Sequence, residues 1–192
     1  MPKTHVWKIA IAGVVFAVAS MAQAAEPPWI YVEGGYLVND PDLEGIDSSE
    51  TGDNWFVGGM GGGKMWHVFV DYQQGDFVDG VDNKNWKLGV GWHGLLGERA
   101  DLVADGAYLK NDEPFDDSGW QARIGVRWRI IKLVEVAGFV SYVDFSDLDS
   151  DTVGELQALL YVWRIGIGLS YEGGGDVADQ YGAFLRFNFG KK

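Results

Sequence analysis

The sequence predicts an all-β fold, a transmembrane antiparallel up-and-down β-barrel of ten strands, with eight the alternative. Three observations predict it. Apolar side chains alternate with glycine, polar or charged ones after residue 24, the period of a strand and not of a helix. The alternating segments run about 10 residues, which suits a tilted bilayer crossing and exceeds the usual soluble strand. The connections alternate between short turns and longer acidic segments, as in barrels with turns on one side of the membrane and loops on the other.

The first segment is an address. Lys3, His5 and Lys8 form a basic start, residues 9–19 are apolar, and Ser20-Met21-Ala22-Gln23-Ala24 offers a small-x-small cleavage pattern. This reads as a signal peptide over 1–24, too short to span, leaving 25–192 as a single barrel domain. The formal charge is −13, and the leader removes two of 15 basic residues and none of 28 acids, so the mature chain stands at −15. Such acidity argues against nucleic acid and against polybasic adhesion to an anionic surface. The absence of cysteine excludes disulfides, thiolate metal sites and cysteine nucleophiles. With 28 glycines, 9 Trp, 8 Tyr and 10 Phe, the chain does not suit disorder. After Ala24 the longest apolar run is six residues, 158–163, so a helical span is excluded.

Strands are expected near 29–38, 54–63, 67–75, 84–94, 100–109, 119–129, 133–143, 154–162, 164–172 and 180–189. The clearest case is 120–130, where Trp120, Ala122, Ile124, Val126, Trp128 and Ile130 alternate with Gln121, Arg123, Gly125, Arg127 and Arg129. Trp86 and Trp92, like Trp120 and Trp128, bracket their apolar stripes as interfacial girdles do. Short turns fall at 64–66, 95–99, 130–132 and 163. Longer segments fall at 39–53, 76–83, 110–118, 144–153 and 173–179. Merging 154–172 would give eight strands, because its turn has no Gly, Pro or Asn.

Parity then sorts the side chains. The inward set includes Glu33, Asp71, Lys87, Asp101, Asp105, Arg123, Arg127, Glu135, Glu155, Arg164 and Arg186. Both signs occur on adjacent strands, so a salt-bridged interior is expected. Complete pairing would plug the lumen, whereas unpaired residues of one sign would line a selective path. Inward Gly89, Gly91, Gly166 and Gly168 either open that path or make room for arginines and tight curvature, and the second is preferred.

The longer segments hold 19 of the 28 acids, with Lys110 their one basic residue. They read as solvated loops extended by self-repulsion. Asp40, Asp42 and Glu44, and Asp147, Asp149 and Asp151, have the carboxylate spacing of a calcium loop. They depart from it at Glu50, Pro41 and Gly154, so only loosely held divalent cations are expected, and no cofactor. The mature chain has two histidines, His67 and His93, near the short-turn ends of neighbouring strands. Neither has an evident acid or serine partner, so no enzyme is expected.

The opening Tyr31-Val32-Glu33-Gly34-Gly35-Tyr36 and the last strand, Gln180-Tyr181-Gly182-Ala183-Phe184-Leu185-Arg186-Phe187, resemble those of small outer-membrane β-barrel proteins of the OmpX/OmpA-barrel type. Within the last strand, Gln180, Gly182, Leu185 and Phe187 match that family's polar-x-Gly-x-x-apolar-x-aromatic assembly signal, although the chain continues through Phe189 to Lys192. The resemblance implies a bacterial outer-membrane location and recognition by the outer-membrane assembly machinery. The partners expected are outer-membrane lipids, lipopolysaccharide and an unidentified surface ligand. Two roles follow as expectations: a structural or surface-interaction protein, or a narrow cation-preferring porin-like channel.

Overall fold

The computed structural model describes residues 29–40, 51–78, 81–113, 116–146, 149–174 and 179–189. The leader 1–24 lies outside the described residues, as do Asp42, Glu44 and Asp147.

Ten strands form: β1 (Tyr31–Asp40), β2 (Gly52–Gly62), β3 (Trp66–Val78), β4 (Val81–Leu95), β5 (Ala100–Glu113), β6 (Asp117–Ile131), β7 (Val134–Phe145), β8 (Asp151–Val162), β9 (Ile165–Gly173) and β10 (Asp179–Asn188). Each pairs antiparallel with its chain neighbour, and β1 pairs with β10, so the sheet closes on itself. Closure leaves no unpaired edge, the condition for a sheet in hydrocarbon. The eight-strand alternative fails at Trp163, whose φ of 58° reverses the chain in a two-residue turn between β8 and β9.

Burial is inverted relative to a soluble protein. The largest fully buried side chains include Arg186, His67, Glu135 and Asp101, whereas Leu88, Val68 and Leu169 are exposed at 62%, 58% and 65%. A soluble sandwich would bury the leucines. Here polar groups face a lumen and apolar ones face lipid, the arrangement of a transmembrane barrel.

One expectation is corrected. Residues 76–83 and 110–118 are mostly strand, because β3 pairs with β4 as far as Val78 and Val81, and β5 with β6 as far as Asn111 and Asp117. Polar side chains beyond the apolar band do not end a ladder whose backbone groups still find partners. Asp76, Asp82, Asp112 and Asp117 therefore sit on strands rather than in free loops.

Candidate functional site: a bolted lumen

Near the short-turn end, Glu135 on β7 is fully buried and collects donors from three other strands. Its Oε1 accepts from Arg127 Nη2 at 2.8 Å and Nε at 3.2 Å, and from Arg186 Nη1 at 3.4 Å. Its Oε2 accepts from Tyr161 Oη at 3.2 Å and Arg129 Nη2 at 3.4 Å. Arg186 also donates from Nε to Glu33 Oε2 at 2.6 Å and from Nη2 to Gln157 Oε1 at 3.2 Å. The carboxylate on β7 is thereby tied to β6, β8 and β10, and through Arg186 to β1. Such charge-assisted bonds are the strong class.

Aromatic rings pack into the same layer. Arg186 lies 4.2 Å over Tyr31, and Arg127 lies 4.6 Å over Trp29. Trp29, just before β1, stacks on His93 at 3.6 Å and on His67 at 4.9 Å. His67 Nε2 lies 2.7 Å from Asp105 Oδ1. Asp105 accepts twice more from Arg123, at 2.8 and 2.5 Å, and Arg123 Nη1 reaches Glu155 at 3.2 Å.

The histidine reading is corrected by this geometry. His67 and His93 do approach, with ring centroids 5.6 Å apart, but an acid is poised on His67. The register explains why: His67 and Asp105 both pair with Gly91, one from each side, and meet over a residue with no side chain. A Cβ at Gly91 would lie 2.0 Å from Asp105 Oδ1.

The glycine reading changes likewise. Cβ atoms at Gly89, Gly166 and Gly168 would strike the rings of Phe69, Tyr161 and Phe184. The inward glycines make room for aromatic rings and for the His67–Asp105 pair, not for guanidiniums.

Above this layer lies one cavity of about 670 Å³, running from Asp149 and Asp151 at the long-loop end down to Tyr31 and Arg127. Asp71, Lys87, Glu172 and Gln121 line its wall. Asp71 and Lys87 are cross-strand neighbours, as are Glu155 and Glu172. An amide chain crosses the upper wall: Gln180 donates to Asn39 at 2.7 Å, Asn85 to Asn83 at 2.7 Å and Asn83 to Asn54 at 3.1 Å. Asn39 and Asn54 both donate to the carbonyl of Asp76.

Of the inward charges read from the sequence, Arg164 is misplaced. It occupies the β8–β9 turn, with its guanidinium 5.4 Å from the Trp163 ring centroid and its carbonyl accepting from Asn188. Asp101 is buried opposite Arg127. Parity did not single out Arg129, Tyr161, Gln157 or Glu172, although all lie on inward positions, nor Trp29, which fell in the expected strand 29–38 in phase with Glu33 and which the structure places just before β1.

Asp40 ends β1 opposite Asp179, and Asp149 and Asp151 stand at the cavity mouth. Among the described residues no three His, Asp or Glu side chains are placed to hold a metal ion. In the terminal signal, Gln180 points inward to Asn39, Gly182 packs against Ser170 and Leu37, Leu185 faces out, and the Phe187 ring meets Phe189 edge-on.

No protein-family model matches the chain, and no curated protein matches its sequence. Among solved structures it is similar to the KdgM porin in complex with disordered oligogalacturonate, with a TM-score of 0.50 at 6% identity, covering 83% of this chain and 99% of that one. A de novo designed transmembrane β-barrel matches at TM-score 0.40 and 12% identity, over 87% of this chain and 98% of that one. At 6% identity the likeness to the porin is one of fold alone.

Proposed function

We propose that this chain is a bacterial outer-membrane barrel, exported by its cleaved leader 1–24 and inserted through its terminal-strand signal, with a structural or surface-interaction role. The short turns face the periplasm, and the cavity opens outward among acidic loops, where divalent cations gather loosely. The Glu135 cluster supports this reading. A buried carboxylate held by three arginines from two strands, one of them reaching across the lumen, closes the barrel as a bolt closes a tube. With Trp29 stacked on His93 in the same layer, little room is left for hydrated ions.

A second reading, a narrow cation-preferring porin-like channel, is favoured by the charged side chains that line the cavity and by its mouth acids. Single-channel recording decides between them. Protein shown folded by a gel shift between unheated and boiled samples is expected to insert without discrete current steps. Reproducible cation-selective steps from the wild-type chain would overturn the closed reading and establish the channel.

A further inference from the structure

The four short turns share a composition. The β2–β3 turn sets Lys64 beside Met65 and Trp66, and the β8–β9 turn sets Arg164 beside Trp163. The β4–β5 connection carries Arg99 with Leu96, and the β6–β7 turn carries Lys132 with Leu133. The apolar members are all exposed, Trp66 at 63% and Trp163 at 65%. Glu98 is the one acid in these turns. Trp163 also holds a left-handed φ of 58°, in a turn that Gly or Asn would make without steric conflict. A bulky aromatic kept in that conformation and left exposed calls for a use other than the turn itself.

We infer that this end of the barrel docks into a leaflet of anionic phospholipid. The turn side chains enter the acyl boundary and Lys64, Lys132 and Arg164 meet phosphate oxygens, whereas Arg99 is held by the carbonyl of Ile130. Three observations select lipid over other occupants. The motif recurs in every turn around the whole perimeter, whereas a protein partner or a second copy would engage one sector. The exposed apolar band of the strands continues into these turns without a polar break, through Val162 and Ile131, so the docking face extends the lipid-facing surface already described. The charge is complementary, four cations against one acid, in a chain otherwise strongly acidic. The Arg164 guanidinium lying against the Trp163 ring is the amphipathic pairing of an interfacial anchor.

The mature chain refolded into phosphatidylcholine vesicles, doped with brominated phosphatidylglycerol or brominated phosphatidylcholine, tests this through tryptophan quenching. The anionic quencher is expected to win by about fivefold per engaged cation at low salt, and the advantage should fade near ~1 M salt. The variant K64Q/K132Q/R164Q should quench equally with both lipids, while K64R/K132R keeps the preference. The heat-dependent gel shift reports folding separately. Equal quenching in the folded wild type, or a preference untouched in the glutamine variant, would overturn the inference. Cross-linked dimers through this end without headgroup preference would put a second copy there instead. Trp163→Gly relaxes the turn, yet should lower resistance to urea in these vesicles; a gain would remove Trp163 from the anchor.

Discussion

Glu135 is the residue whose loss the lumen can least absorb. It is fully buried, and Arg127, Arg129 and Arg186 all converge on it. A buried ion pair need not stabilise relative to an apolar core, but removing one partner strands the other. Glu135→Ala would leave three guanidiniums converging on a void, although Arg186 keeps a second carboxylate, Glu33. The expected cost is about 3–5 kcal/mol, read as a shift in urea unfolding in vesicles by tryptophan fluorescence. Glu135→Gln, which keeps the shape and an acceptor for Tyr161, should cost less than Glu135→Ala. Equal losses would mean that charge and not shape is what the arginines need.

At the scale of elements, several strands meet by setting a large inward side chain across a glycine of a neighbour. Phe69 lies on Gly89, Tyr161 on Gly166 and Phe184 on Gly168, and His67 with Asp105 closes over Gly91. Gly106 is different: it faces lipid on β5, with nothing within 4 Å of an added Cβ. Gly91→Ala should therefore destabilise the barrel by about 1–3 kcal/mol through overpacking. Gly106→Ala should be neutral or stabilising, since glycine weakens a strand interior. If both behave alike in unfolding titrations, the glycines serve strand curvature rather than side-chain room. Strand number and facing were legible in the sequence because the side-chain period is two, and the alternation read over 120–130 holds in β6 up to the register shift between Arg129 and Ile131. Height along the barrel was not legible, because parity says which side chains face inward but not which strand position stands opposite. The His67–Asp105 contact was hidden for that reason, as was the reach of Arg186 from β10 to Glu135 on β7. Strand ends were misread because polar residues such as Asp76 and Asp112 look like loop but go on pairing.

For the whole molecule, closure comes from one layer contributed by many strands, so opening it calls for removal of several side chains at once. Trp29 fills the space between His93 and Arg127, and Arg127 binds Glu135. The variant W29A/R127A/E135A removes that chain of contacts while leaving net charge unchanged, and Arg186 keeps Glu33 as its partner. Cavities lined by polar groups fill with water. The vacated layer would then join the cavity of about 670 Å³ above it to the short-turn end. With Arg127 removed, six acids line that path (Glu33, Asp71, Asp149, Asp151, Glu155 and Glu172) against Lys87, Lys110, Arg123 and Arg186, so the open lumen should prefer cations. The triple variant is expected to give discrete, cation-selective steps in a planar bilayer where the wild type is silent. Neutralising Glu172 and Asp71 in that background should weaken the selectivity without closing the pore. A folded, inserted triple variant that stays silent would place the barrier outside the Glu135 layer, and the bolt would then hold the strands together without sealing them.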